Sequence, residues 1–245
     1  MSAPPLVEIC VQDAAGVAAA RDAGADRVEL CVDIGCGGLT PPQRLVEESL
    51  ALAPAGGLQV LVRPRPGDFV HTPSEIDEVE ASIRDLAELA PSAPVPLGFV
   101  VGVLDDSGRI AQGAAARWRA ACEGLPLTFH RAFDALPDLE EGVAALIRLG
   151  YDRVLTTGGD PAVAKPERLR RLVGLAGPDL VILASGGLRS ANVAGVVAAS
   201  GASEVHMRAP GIAGGTDPGE VRRILAALGR RSARGSARGG RGRAS

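Results

Sequence analysis

The amino-acid sequence predicts an α/β fold, a single-domain (β/α)8 or TIM barrel. Two observations predict it. Short β-branched runs alternate with Ala- and Leu-rich stretches of helical period along the chain, with no break in composition between halves. The turn after the first run reads "VQDAAG", without the glycine fingerprint that opens a doubly wound sheet.

The strand-like runs are, in order, "LVEIC" from Leu6, "RVELC" from Arg27, "LQVLVR" from Leu58 and "LGFVVGVLD" from Leu97. They continue with "LPLTFHR" from Leu125, "DRVLTT" from Asp152, "LVILAS" from Leu180 and "SEVHM" from Ser203. A helical stretch follows each of them. Asp13 and Thr40-Pro41 read as helix starts. Thr72-Pro73-Ser74-Glu75 reads as a capping box with proline at the first helical position. Gly24, Gly150 and Gly201 read as left-handed helix caps in tight connections to the next strand. The barrel is expected over 1–229, followed by a disordered tail over 230–245 whose residues are mainly Arg, Gly, Ser and Ala.

Composition narrows the function. A 245-residue chain that is 46% hydrophobic can build one large core. The net charge is −3, and since the tail carries six arginines and no acid, the barrel itself stands near −9. The tail has no aromatic residue on which bases could stack, so no nucleic-acid partner is expected. No signal peptide and no apolar run long enough to span a membrane are read. Cys10, Cys31, Cys36 and Cys122 show no CxxC spacing and are expected to be reduced thiols in a cytoplasm.

Alternation decides which side chains enter the barrel. Val7 and Ile9 are the apolar set of the first strand, so Glu8 and Cys10 turn inward. The same reading turns Glu29 and Cys31, Arg63, Thr128 and His130, and Glu204 and His206 inward. Barrel interiors are normally filled by branched apolar groups, and a buried charge without a partner costs several kcal/mol. Charged residues at several strand ends therefore mark a site. Strands eight, one and two are neighbours, so Glu204, Glu8 and Glu29 are expected to form one tier. Cys10, Cys31 and His206 would lie about 6.6 Å nearer the mouth.

Two thiols and an imidazole suit a soft metal, Cu(I) or Zn(II), with Cys10, Cys31 and His206 as ligands. A disulfide or simple apolar filling by the cysteines stays open. Glu8, Glu29, Arg63 and His130 resemble an acid/base set around a small anion. In that set Arg63 is the anchor, His130 the acid or base, and Asp134 its orienting partner. The alternative for the glutamates is a structural charge network with Arg63 and Arg65. Gly186 and Gly187 in "ASGGLRSAN", before a helix start at Ser190, offer amides for a phosphate, as does "TTGGD" from Thr156. Arg65, Asp68, Arg131 and Glu204 complete the anion-binding candidates. His71 reads as a surface histidine.

The segments "VEIC", "GADRVELC", "GGLTPP", "VRPRPGDF", "GVLDDSGRI", "LTFHRAFD", "DRVLTTG", "SGGLRSAN" and "EVH" run from Val7 to His206. In order and spacing the chain resembles the copper homeostasis protein CutC family. The resemblance implies a cytoplasmic homo-oligomeric barrel, a dimer in the first instance, that binds Cu(I). It implies Cys10 and Cys31 as copper ligands and matches Glu8, Glu29, Arg63, Asp68, His130 and Asp134 to the family's polar strand ends. Pro66 stands where the family usually has glycine, and Val70 where members often carry a further cysteine. The rival reading is a barrel enzyme, an isomerase, lyase or hydrolase, acting on a small anionic or phosphorylated metabolite.

Overall fold

Eight parallel strands close on themselves in chain order. They are β1 (Leu6–Val11), β2 (Arg27–Leu30), β3 (Leu58–Leu61), β4 (Leu97–Val101), β5 (Leu127–Phe129), β6 (Arg153–Thr156), β7 (Val181–Ala184) and β8 (Glu204–Met207). The helices that follow them are α1 (Ala14–Ala23), α2 (Gln43–Leu50), α3 (Pro73–Ala87), α4 (Gln112–Ala121), α5 (Leu139–Leu149), α6 (Pro166–Ala176), α7 (Val193–Ser200) and α8 (Pro218–Ala227). The structure, a computed structural model, describes residues 3–212 and 214–230. No helix among them is long and apolar enough to cross a membrane.

Alternation sorts the strand residues as their period demands. Val7, Ile9, Val28, Leu30, Val60, Leu127 and Phe129 pack with helix residues such as Val17, Val46 and Ile83 in the main core. Cys10, Cys31, Leu61 and Val100, of opposite parity, form a separate small cluster inside the barrel. Glu8, Arg27, Gln59 and Thr128 are buried polar members of that interior.

The caps form mostly as read. Asp13 accepts from the Gly16 amide at 2.6 Å, and Gly24, Gly150 and Gly201 take positive φ at helix ends. Thr72 and Glu75 bond reciprocally, at 3.3 and 2.7 Å, so α3 starts on a complete box. Thr72→Ala should cost about 1 kcal/mol, a melting-temperature drop of roughly 2–4 °C, by thermal denaturation. Two starts are corrected. Helix α2 begins at Gln43, because Thr40 is occupied elsewhere: its hydroxyl bonds the Arg63 carbonyl and amide at 3.0 and 2.9 Å. Helix α7 begins at Val193, since the Ser190 amide and hydroxyl are both held by Glu220.

The expected tier of three glutamates does not form. Glu204 lies opposite Leu6, Glu8 lies between His206 and Arg27, and Glu29 lies opposite Cys10. Closing a barrel staggers each strand against the next, so equivalent positions in the three echoes climb rather than align. Arg230, counted with the tail in the sequence, is tied to Asp26 through both terminal guanidinium nitrogens, one of them at 2.7 Å. The rest of the tail, 231–245, lies outside the described residues.

Candidate functional site

The strand ends and their loops enclose a cavity of about 640 Å³. Its wall includes Cys10, Glu29, Cys31, Arg63, His130 and His206. Asp134, Arg131 and Arg208 also reach it, with Phe69, Leu61 and Leu155 as apolar lining.

Cys10 and Cys31 meet in this wall. Their sulfurs are 3.7 Å apart and both residues are buried. The hydrogen bond to Cys31, burial and the Glu29 carboxyl together raise the Cys10 thiol well above 9.0, so that thiol is protonated at neutral pH. The loop after β2 closes over Cys31 at Gly38, where φ is +90°. A Cβ there would stand 2.7 Å from Leu61 and 3.2 Å from the Cys31 sulfur, so only glycine permits that approach.

Beneath the thiols runs an ion network. Arg27, 2% exposed, donates to Glu8 and, at 2.5 Å, to Glu204, which also accepts from Arg153 at 3.0 Å. His206 Nδ1 sits 2.7 Å from Glu8 and 4.0 Å from Glu29. Burial pushes the Glu8 carboxyl up, but Arg27 and His206 outweigh it and hold it at about 2. Burial pulls His206 down, while Glu29 and Glu8 raise it further, so the imidazolium is favoured. Glu29 is raised by its burial, which His206 opposes without cancelling, and its Oε2 has no hydrogen-bond partner among the described residues. One ligand atom each from Cys10, Glu29 and His206 lies within 4.8 Å of the other two. Cys31 stands outside that trio and joins it through Cys10.

Other residues take roles different from those expected. Arg63 pairs with no carboxylate among the described residues; it donates to the carbonyls of Cys36, Gly38 and Gly67 at 3.2, 3.2 and 2.7 Å. It therefore clasps two loops, and the expected network with Arg63 and Arg65 is instead built on Arg27. Arg65 is turned away from the cavity, bonded to Glu75 at 2.6 Å and Asp68 at 2.9 Å. Asp134 does not orient His130. It accepts from Thr156, from the amides of Thr157 and Gly159, and from Arg131 at 3.0 Å, pinning the turn after β6. Gly186 and Gly187 do not line the cavity, and the Ser190 amide beyond them already holds the Glu220 carboxylate at 2.9 Å. A phosphate has no open cradle there. His71 is buried beside Trp118 rather than on the surface.

The CutC family model matches residues 5–211. The chain belongs to the CutC family. It is 41% identical over 206 residues to a family protein CutC of Mesorhizobium japonicum, covering 84% of this chain and 78% of that one. It is 36% identical over 208 residues to a human protein named copper homeostasis protein cutC homolog, covering 83% of this chain and 73% of that one. A solved CutC structure from Streptococcus agalactiae superposes with a TM-score of 0.75 at 27% identity, covering 82% of this chain and 97% of that one.

Strand alternation alone did not single out Arg27 and Arg208. Both were within reach of the same rule, because Arg27 shares the parity of Glu29 and Cys31, and Arg208 that of Glu204 and His206. Phe69 gave no periodic signal. It lies on a loop, and only the fold brings its ring 4.9 Å from that of His130 and 5.1 Å from the Arg63 guanidinium carbon.

Proposed function

We propose that this CutC-family barrel binds Cu(I) through Cys10 and Cys31 and takes part in copper homeostasis, as a cytoplasmic homo-oligomer. The observation that carries the reading is the buried sulfur pair at 3.7 Å in the cavity wall. Two sulfurs beside Leu61 and Val100 form a soft, poorly hydrated donor set, which favours Cu(I) over hard cations. His206 and Arg208 supply positive charge close to the thiolates that metal binding would create. The homeostasis role is supported by the name carried by the human relative.

His206 is the weaker of the expected ligands, since its Nδ1 is engaged by Glu8 and its protonated form is favoured. The thiols must lose protons to bind, so affinity depends on pH. Competition against a Cu(I) chelator should show affinity falling by about tenfold per pH unit for each proton released as the solution is acidified. A pH-independent affinity would count against thiolate ligation.

A further inference from the structure

Bound by Cys10 and Cys31, a Cu(I) ion is left one ligand short by the spacing of the sulfurs. A thiolate lies about 2.3 Å from a closed-shell ion such as zinc, and Cu(I) has the same closed shell. At that length a straight S–Cu–S unit needs sulfurs about 4.6 Å apart, and a trigonal one about 4.0 Å. The observed 3.7 Å fits the trigonal ion, which takes a third ligand. The pair has little freedom to spread. Cys31 is buried against Leu61 and Val100, and the loop backbone at Gly38 closes over its sulfur.

Among the described residues no good third ligand stands by. His206 Nδ1 is held by Glu8 at 2.7 Å, and the ring favours its protonated form. Glu29 is a carboxylate, a hard donor that suits harder ions. The Cys36 thiol is exposed and turned to the Asp33 carbonyl at 3.0 Å. Cys10 is the more open sulfur of the pair, at 8% exposed, and the space before it is the cavity. At about 640 Å³ that cavity is far larger than one ion needs and falls in the range of small-molecule sites. Its wall carries the guanidinium groups of Arg63, Arg131 and Arg208 against the carboxyls of Glu29 and Asp134, and Asp134 is taken by Arg131. Arg208 is exposed, makes no ion pair among the described residues, and lines a second, smaller hollow together with Cys10.

Resting on Cu(I) ligation by Cys10 and Cys31, we propose that copper reaches the barrel as a complex with a small anionic thiol. One thiolate of that carrier stays on the ion as its third ligand. The exchange involves no oxidation or reduction. A Cu(I) bis-thiolate complex meets the two cysteine thiols, two bonds from copper to the Cys10 and Cys31 sulfurs form, and one bond from copper to carrier breaks. Of the two cysteine protons, one goes to the departing carrier thiolate and the other to solvent. The product is doubly negative where the incoming complex was singly negative, and the guanidinium groups of the wall offset the added charge. The body of the retained thiol fills the cavity, its carbon chain against Ile34, Leu61, Phe69 and Leu155.

The test uses the full chain without oxygen, with Cu(I) supplied as its acetonitrile complex or with 3-mercaptopropionate, 2-mercaptoethanol or cysteamine. Native mass spectrometry should find protein, copper and 3-mercaptopropionate together in equal number. X-ray absorption should count three sulfurs on the copper with that thiol present and two when acetonitrile is the source. The anionic thiol should be held about tenfold more tightly than the cationic cysteamine. Arg208→Gln should remove most of that preference, and Arg65→Gln, at a residue turned away from the cavity, should keep it. Cys10→Ser with Cys31→Ser should lose copper and thiol together, and Cys36→Ser should keep both. If wild type takes copper from acetonitrile but never retains a thiol, the proposal is overturned and the copper reading stands. A nitrogen or oxygen third ligand with the thiol present, loss of the third sulfur in Cys36→Ser, or equal retention of the three thiols would overturn it as well. A wild type that takes copper from no source overturns both.

Discussion

Arg27→Met is expected to destabilise the protein by about 3–5 kcal/mol, the cost of leaving a buried charge without its partner. The substitution keeps much of the side-chain volume, so the loss reports charge rather than a cavity. Glu8 is 1% exposed and Glu204 9%, and Arg27 is the cation that bonds both. Glu204 retains Arg153 and Glu8 retains His206, which limits the damage but places no second guanidinium on Glu8. In a chain of this length the melting temperature should fall by roughly 6–20 °C. Arg63→Met should cost less, because it removes bonds to loop carbonyls and strands no carboxylate. Equal losses from the two variants, measured by denaturant melts, would show that Arg27 does not organise the interior charge.

The same network sets a pH window. The Glu8 carboxyl is lowered from 4.5 to about 2, so its stabilisation is present above 4.5 and is lost as pH falls toward 2. His206 is raised from 6.5, so its contribution is full below 6.5 and is lost as pH rises through the folded value. From Glu8 and His206 the network should stabilise most between 4.5 and 6.5, while the raised Glu29 carboxyl works against it as pH rises above 4.5. In Arg27→Met the acid-side loss should flatten, because Glu8 no longer has the partner that holds it ionised.

The second large effect is on copper. Cys10→Ser with Cys31→Ser should weaken Cu(I) binding by more than about 100-fold, beyond what loss of a supporting partner usually costs a metal site. A hydroxyl is a hard ligand and a poor replacement for a thiolate on Cu(I). Either single change should remove most of the affinity, because the sulfurs sit 3.7 Å apart and act as a pair. Cys36→Ser is the control. Its thiol is exposed and bonded to the Asp33 carbonyl at 3.0 Å, so affinity should stay within about twofold. Circular dichroism should show an intact barrel in each variant. If the double variant binds Cu(I) as wild type does, the thiol pair is not the copper site.

By itself the sequence determined the barrel, its eight strands and the inward turn of Glu8, Cys10, Glu29, Cys31, Glu204 and His206. Each of these is a local matter: apolar residues repeat every second position in a strand, and caps such as Asp13 and Thr72 act within three residues. The family resemblance was legible at the same strand ends. Which inward groups meet is not local. Arg27 reaches Glu204 across 177 positions, and Glu8 faces His206 rather than another glutamate because barrel closure staggers the strands. Loop geometry decided the rest. Arg63 clasps carbonyls, Asp134 holds the turn after β6 instead of His130, and Glu220 fills the cradle expected for phosphate. A loop's backbone presents unpaired donors and acceptors, and the side chain that satisfies them is chosen by proximity in the folded chain, which no periodicity records.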